Sequence, residues 1–238
     1  MTTYVLVHGA WAGAHCFRDV RKPLQALGHD VFTPALTGIG ARVHLASPQI
    51  NLNTHIQDVV NLVLYEDLRD FVLLGFSYGG MVVTGALESI ADRVRHLVYV
   101  DAFVPQNGQS VTDLVPSRQG ETGLGASGFL PPAARTFEDA AQAAFHTPRR
   151  VPQPLATFNT PVRLSQSLES YPIGLTYVRA TEDDHSQGSD QAFAKAAAHA
   201  EQSPRWQYHA VDTNHLIPIN RPQTLVEILA AVGAAAAP

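Results

Sequence analysis

The sequence predicts an α/β fold, a mostly parallel sheet of about six strands flanked by helices, with a helical cap inserted after the strand ending at Asp101. Three observations point there. Short apolar runs such as "TYVLVH" and "DFVLLGF" are β-branched and do not alternate, which suits strands buried on both faces. Helical patterns separate these runs, as right-handed βαβ crossovers require. The rhythm breaks once, between 105 and 172, where Pro105, Pro116, Pro131, Pro132, Pro148, Pro152, Pro154, Pro161 and Pro172 gather, and then it resumes.

Each element can be justified in order. "TYVLVH" opens the sheet, and a helix over 13–27 follows, with Gly28 where a left-handed terminating residue belongs. After "HDVFTPA" a second helix is expected over 54–66, its start marked by Thr54 and Gln57 as a capping box. "DFVLLGF" leads into a helix over 78–91, and "VRHLVYVD" closes the first half. Within 105–172 one helix stands out, "TFEDAAQAAFH", with Thr136 and Asp139 placed to cap it. Phe129, Leu130, Phe137, Phe145, Leu155 and Phe158 make this stretch a packed cap rather than a linker. "IGLTYVRAT", a helix over 189–200, "RWQYHAV" and a last helix from 221, with Pro222 in its first turn, complete the chain. The expected organisation is a single domain, with 1–104 and 173–238 as core and 105–172 as cap.

Composition narrows the function. Of 238 residues, 45% are hydrophobic and 16% charged, and the net charge of -5 provides no basic field for nucleic acid or an anionic membrane. Cys16 is the single cysteine, so no internal disulfide forms, as in a reducing compartment. The start lacks a basic, cleavable leader pattern, and no apolar run reaches the roughly 18 residues of a membrane span. A cytoplasmic protein with a small, neutral partner is the expectation, and a homodimer is compatible with it.

The run "LLGFSYGG" carries the chemistry. Gly75-Phe76-Ser77-Tyr78-Gly79 fits G-x-S-x-G between a buried strand and a helix. Such a corner holds the serine in a strained conformation and crowds its neighbours, which the glycines relieve. Ser77 then stands at the positive end of a helix dipole. A serine that merely caps the helix is the bland alternative.

A serine hydroxyl needs a base to take its proton and a carboxylate to orient that base. His215, in the loop after the last strand, fits best of the 11 histidines, while His209 lies within a strand and His8 precedes the serine and braces its loop. For the acid, "YVRATEDDH" delivers Glu182, Asp183 and Asp184 to the same sheet edge. Asp183 is preferred, Asp184 is second, and Asp101, at the tip of the neighbouring strand, is third. Two backbone N–H groups should hold the oxyanion, those of Tyr78 and of Ala10 in the loop "HGAWAGAHCF". That loop lacks G-x-G-x-x-G spacing and a Walker lysine, and no cofactor or metal is expected.

Together "VLVHGAWAGAHCF", "LTGIGARVHL", "NLNTHIQDVV", "GFSYGGMV", "LVYVDAFVPQNGQS" and "DTNHLIPINRP" resemble the α/β-hydrolase fold superfamily. The similarity is to the branch of plant methylesterases, salicylate-binding esterases, hydroxynitrile lyases and bacterial esterase relatives. It spans both halves of the chain and fades across the cap. It implies a serine hydrolase without a cofactor, with Ser77, Asp183 and His215 as its triad. The lyases of this branch carry a lysine after the catalytic histidine and a threonine after the oxyanion-loop histidine; here Leu216 and Gly9 stand instead, which argues against lyase chemistry. The expected activity is hydrolysis of small apolar or aromatic carboxylic esters through an acyl-enzyme. Trp11, Phe76, Phe103 and Leu216 are the expected pocket wall. A carbon–carbon lyase using the same triad as a base, and a non-catalytic ligand receptor, are the alternatives.

Overall fold

A computed structural model describes residues 1–115, 128–182 and 189–235. The first half runs β1 (Thr3–Val7), α1 (Arg18–Ala26), β2 (Asp30–Phe32), α2 (Leu52–Tyr65), β3 (Phe71–Phe76), α3 (Gly79–Ile90) and β4 (Val94–Val100). An insertion follows, with α4 (Val111–Leu114), β5 (Phe129–Leu130), α5 (Ala140–His146), β6 (Gln153–Pro154) and α6 (Ala156–Asn159). The sheet then resumes with β7 (Gly174–Ala180), α7 (Asp190–Gln202), β8 (Trp206–Val211), α8 (Ile217–Asn220) and α9 (Pro222–Ala234).

Six strands form one sheet in the order β2-β1-β3-β4-β7-β8, every neighbouring pair parallel. The order reverses between β1 and β3, so their carboxyl ends diverge into loops that leave a crevice, where open α/β sheets bind ligands. Alternate side chains of each strand feed two cores. Val5, Leu73 and Tyr99 meet residues of α2, α3 and α7, while Tyr4, Leu6 and Val72 meet residues of α1 and α9. The Tyr4 hydroxyl donates to Leu229 O at 2.9 Å and fastens α9 to the sheet. β5 and β6 pair antiparallel within the insertion, apart from the main sheet.

Three helix starts differ clearly from the sequence expectation; α1, expected from 13, begins at Arg18 because Ala14–Phe17 forms a 3-10 turn before it. α2 begins at Leu52, because Asn51 accepts from the backbone of Asn53 and Thr54 while Thr54 Oγ1 accepts from Asn51 N. Thr54 is thus the third residue of a capping box whose cap is Asn51, not the cap itself. In the insertion Asp139 alone caps α5, accepting from Gln142 N at 2.9 Å. Gly28 has φ +83° after α1, as its position implied. Among the described residues no helix is long and apolar enough to cross a membrane.

Candidate active site

Among the described residues, three of the five non-glycine residues with positive φ gather at the sheet's carboxyl edge: Trp11 (56°) after β1, Ser77 (57°) after β3 and Asp101 (40°) after β4. Left-handed backbone at a residue with a side chain costs free energy and concentrates at functional sites. At Ser77 the reason is the strand-to-helix corner. Its N–H still donates to Val100 O at 3.2 Å, as the sheet dictates, while its carbonyl already accepts from Gly80 N of α3. Gly75 permits this turn, since a Cβ there would fall 2.8 Å from the carbonyl carbon of Gly79.

His215 comes from the loop between β8 and α8. Its Nε2 lies 2.9 Å from Ser77 Oγ and its Nδ1 lies 2.6 Å from Asp101 Oδ2. With Nδ1–H donating to the carboxylate, Nε2 is left to accept the serine proton. Phe76 stacks on the imidazole at 5.0 Å and 29°, and Phe193 of α7 at 5.2 Å and 3°. Sequence reading missed Phe193. The loop is moored to the insertion, since Glu138 accepts from the Thr213 hydroxyl and from Arg221, both at 2.6 Å. Those two donors hold the Glu138 carboxyl below its ordinary range.

Among the described residues the carboxylate that meets His215 is the third sequence candidate, Asp101. The preferred Asp183 and the second candidate Asp184 lie outside the described residues, and Asp101 Oδ2 is the carboxylate oxygen described at His215 Nδ1. Asp101 is buried, and its Oδ1 accepts from Arg179 at 2.5 Å and from Ala180 N at 3.3 Å. The sheet explains the arrangement: Val100 pairs with Val178, so the residue after each strand partner, Asp101 and Arg179, meet at the edge. A usable signal was present. Arg179 sits in an otherwise apolar buried strand, and a guanidinium there requires a carboxylate from an adjacent strand. Glu182 is exposed on the rim, with its N–H donating to Thr213 O.

Neither the Ala10 nor the Tyr78 backbone N–H has a protein acceptor among the described residues. Trp11 differs: its N–H goes to Gln153 Oε1 at 3.1 Å, its indole N–H to Leu130 O at 3.2 Å, and its carbonyl accepts from Val151 N. Gly9 brings the loop against the serine, because a Cβ there would lie 2.9 Å from Ser77 Cβ. His8 braces this loop from below. Its Nδ1 donates to Gly9 O at 2.9 Å and its Nε2 accepts from Leu36 N at 3.2 Å, a neutral ring that burial pushes down to about 4. The Tyr78 hydroxyl meets His55 Nδ1 at 3.0 Å, and its ring stacks on Phe158 of α6.

A cavity opens at Ser77, and the expected Trp11, Phe76 and Leu216 line it together with Ala10. Phe103 does not. It is buried behind the site against Phe193 at 4.8 Å, and its N–H donates to Ser77 O, so it braces the elbow from the core side. The wall holds residues that the sequence reading did not assign to it, among them His15, Arg135, Phe137, His146 and Arg150. His209 stays in β8, opposite Val178.

A parallel sheet with a serine elbow at its reversal point, joined to a histidine and a carboxylate, defines a nucleophilic hydrolase architecture. The chain belongs to the alpha/beta hydrolase family, whose model matches residues 4–228. It is similar to the carbendazim hydrolyzing esterase of Nocardioides sp. (strain SG-4G), with 38% identity over 98% of this chain and all of that one. Methylesterase 2 of Arabidopsis thaliana is 30% identical over 45% of this chain and 41% of that one. Among solved structures, an extracellular alpha/beta-hydrolase from a Paenibacillus species superposes with a TM-score of 0.80 at 26% identity, covering 99% of this chain and 100% of that chain. These relatives make the chain an esterase-type enzyme.

Proposed function

We propose that this protein hydrolyses small apolar or aromatic carboxylic esters through an acyl-enzyme on Ser77. The reading is carried by one observation, the continuous chain Ser77 Oγ, His215 Nε2, His215 Nδ1, Asp101 Oδ2, with links of 2.9 and 2.6 Å. Ser77 Oγ attacks the ester carbonyl while its proton passes to His215 Nε2. Asp101 keeps the proton on Nδ1 and stabilises the imidazolium that forms. The oxyanion accepts from the N–H groups of Ala10 and Tyr78, which stand ready without a competing protein acceptor. The tetrahedral adduct collapses, the ester C–O bond breaks, and the departing alkoxide takes the proton from Nε2. A water then gives a proton to Nε2 and attacks the acyl carbon, the acid leaves, and the proton returns to Ser77.

The segment 105–172 acts in this reading as a cap over the core formed by 1–104 and 173–238. Its link to the site supports that role, because Gln153 and Leu130 hold Trp11 directly beside Ala10. The aromatic wall of Trp11, Phe76 and Phe137 favours a flat or short-chain ester over a sugar or nucleotide.

Turnover of short p-nitrophenyl esters, with phosphonate labelling of Ser77, tests the proposal. Ester cleavage by the natural chain, lost in Ser77→Ala together with the label, is expected. Equal rates in both would overturn it.

A further inference from the structure

His15 and His146 face the cavity over Ser77 and the mechanism above uses neither. His146, the last residue of α5, is 4% exposed, and His15 is half-buried in the loop after β1. Their rings lie 5.5 Å apart at 31°. Neither ring has a hydrogen-bond partner among the described residues. A polar ring facing a cavity with no protein partner is where a bound molecule or water can supply one.

The orientation of the pair is built rather than incidental. Phe137 stacks on His146 at 5.7 Å and 11°, and Phe145 meets its edge at 4.9 Å and 84°. Arg149 and Arg18 lie over the Phe145 ring at 3.9 and 4.5 Å, so the neighbourhood is electropositive. Burial, with the nearby His15, pushes His146 down to about 4, and burial followed by Arg149 lowers His15. Both rings are neutral at pH 7. A neutral imidazole carries one N–H and one lone pair, so it can donate to one group and accept from another. An aliphatic or plain phenyl ester offers this wall nothing beyond its carbonyl.

We propose that His15 and His146 form a neutral hydrogen-bonding wall that selects aromatic esters whose ring carries a nitrogen or oxygen. This deepens the ester-hydrolase reading and rests on it. The two imidazoles are specificity-determining residues: they bind and orient the ring, while Ser77, His215 and Asp101 act on the ester group. Discrimination of this kind is strong because a substrate lacking the heteroatom leaves buried polar groups unmatched.

The test compares phenyl acetate with 3-pyridyl acetate, which differ by one ring nitrogen, in the natural chain and in His146→Phe and His15→Phe. The ratio of kcat/KM values for pyridyl over phenyl ester should fall by about tenfold in His146→Phe. Phenyl acetate itself should change by less than about threefold. Intrinsic leaving-group reactivity cancels because the ratio is compared between variants. A ratio within about twofold of the natural chain's in both variants would overturn the wall while leaving ester hydrolysis intact. Loss of all esterase activity in the natural chain would instead strike the ester reading. A binding experiment on the unsubstituted protein covers variants that fail to fold. Titration with 3-hydroxypyridine should shift the His146 Cε1–H resonance where phenol does not, and equal responses to both would sink the proposal.

Discussion

Around Ser77 the backbone is crowded: a Cβ on Gly9 would lie 2.9 Å from Ser77 Cβ, and one on Gly75 2.8 Å from the Gly79 carbonyl carbon. In the insertion, by contrast, the described elements β5, α5, β6 and α6 are only two to seven residues long and make their own small sheet. The first region is held by the parallel sheet and two buried cores. The second is held by apolar side chains such as Phe158 and Val162 buried in the core and by polar ties, Gln153 and the Leu130 carbonyl to Trp11 and Glu138 to Thr213 and Arg221. Ser77, His215 and Asp101 thus sit on the sheet edge, while the insertion adds Arg135, Phe137, His146 and Arg150 to a cavity wall otherwise built by core loops.

If that division holds, substitutions at the sheet edge should reduce kcat and those in the insertion should act on KM and stability. The largest effect is expected from Ser77→Ala, a fall in kcat of about 10⁵-fold or more with the fold retained by circular dichroism. Asp101→Asn should lower kcat by about 10⁴-fold, since His215 would lose the partner that sets its tautomer. Asp183→Asn should stay within a few-fold, and a reversal of these two results in parallel assays would move the acid to Asp183. Gly9→Ala should cost about 10²-fold in kcat by pushing the oxyanion loop off Ser77, measured on the same ester.

The next expectation concerns pH. His8 is buried neutral with its pKa lowered to about 4, against 6.5 in an unfolded chain. Above pH 6.5 both states are neutral and the stability is complete. Between 6.5 and about 4 the unfolded chain takes up a proton that the folded chain refuses, so stability falls by roughly 3 kcal/mol and then levels off. Urea unfolding at pH 7.5 and 4.5 should show this drop, smaller in His8→Asn; the same drop in both would assign it to other groups. His146 and His96, lowered to about 4, act in the same direction.

The smallest effect belongs to the insertion's anchor. Gln153 is fully buried, accepts from Trp11 N and donates to Thr157 Oγ1 at 2.8 Å. Gln153→Ala should cost about 1–3 kcal/mol and raise KM more than it lowers kcat. A fall in kcat alone would show that the insertion shapes the reacting groups too.

The glycine-flanked Ser77, the apolar strands and the chain order of Ser77 and His215 were legible because each depends on local pattern: period, turn chemistry and strand ends. The helix starts at Asn51 and Asp139 were blurred by neighbouring residues with equal capping ability. Phe193 was not legible, since only packing turns α7 so that this ring lies flat on His215.

What the chain determined by itself was the sheet, the elbow and the placing of Ser77 and His215 at one sheet edge, since steric limits on the backbone and burial of apolar runs admit few other outcomes. The contact of Asp101 with His215, and the meeting of His15 with His146, were decided only by tertiary structure. Strand register sets Asp101 beside Arg179, and the docking of α5 beside the loop after β1 pairs the two imidazoles; both are distances between residues far apart in the chain, which no local pattern encodes.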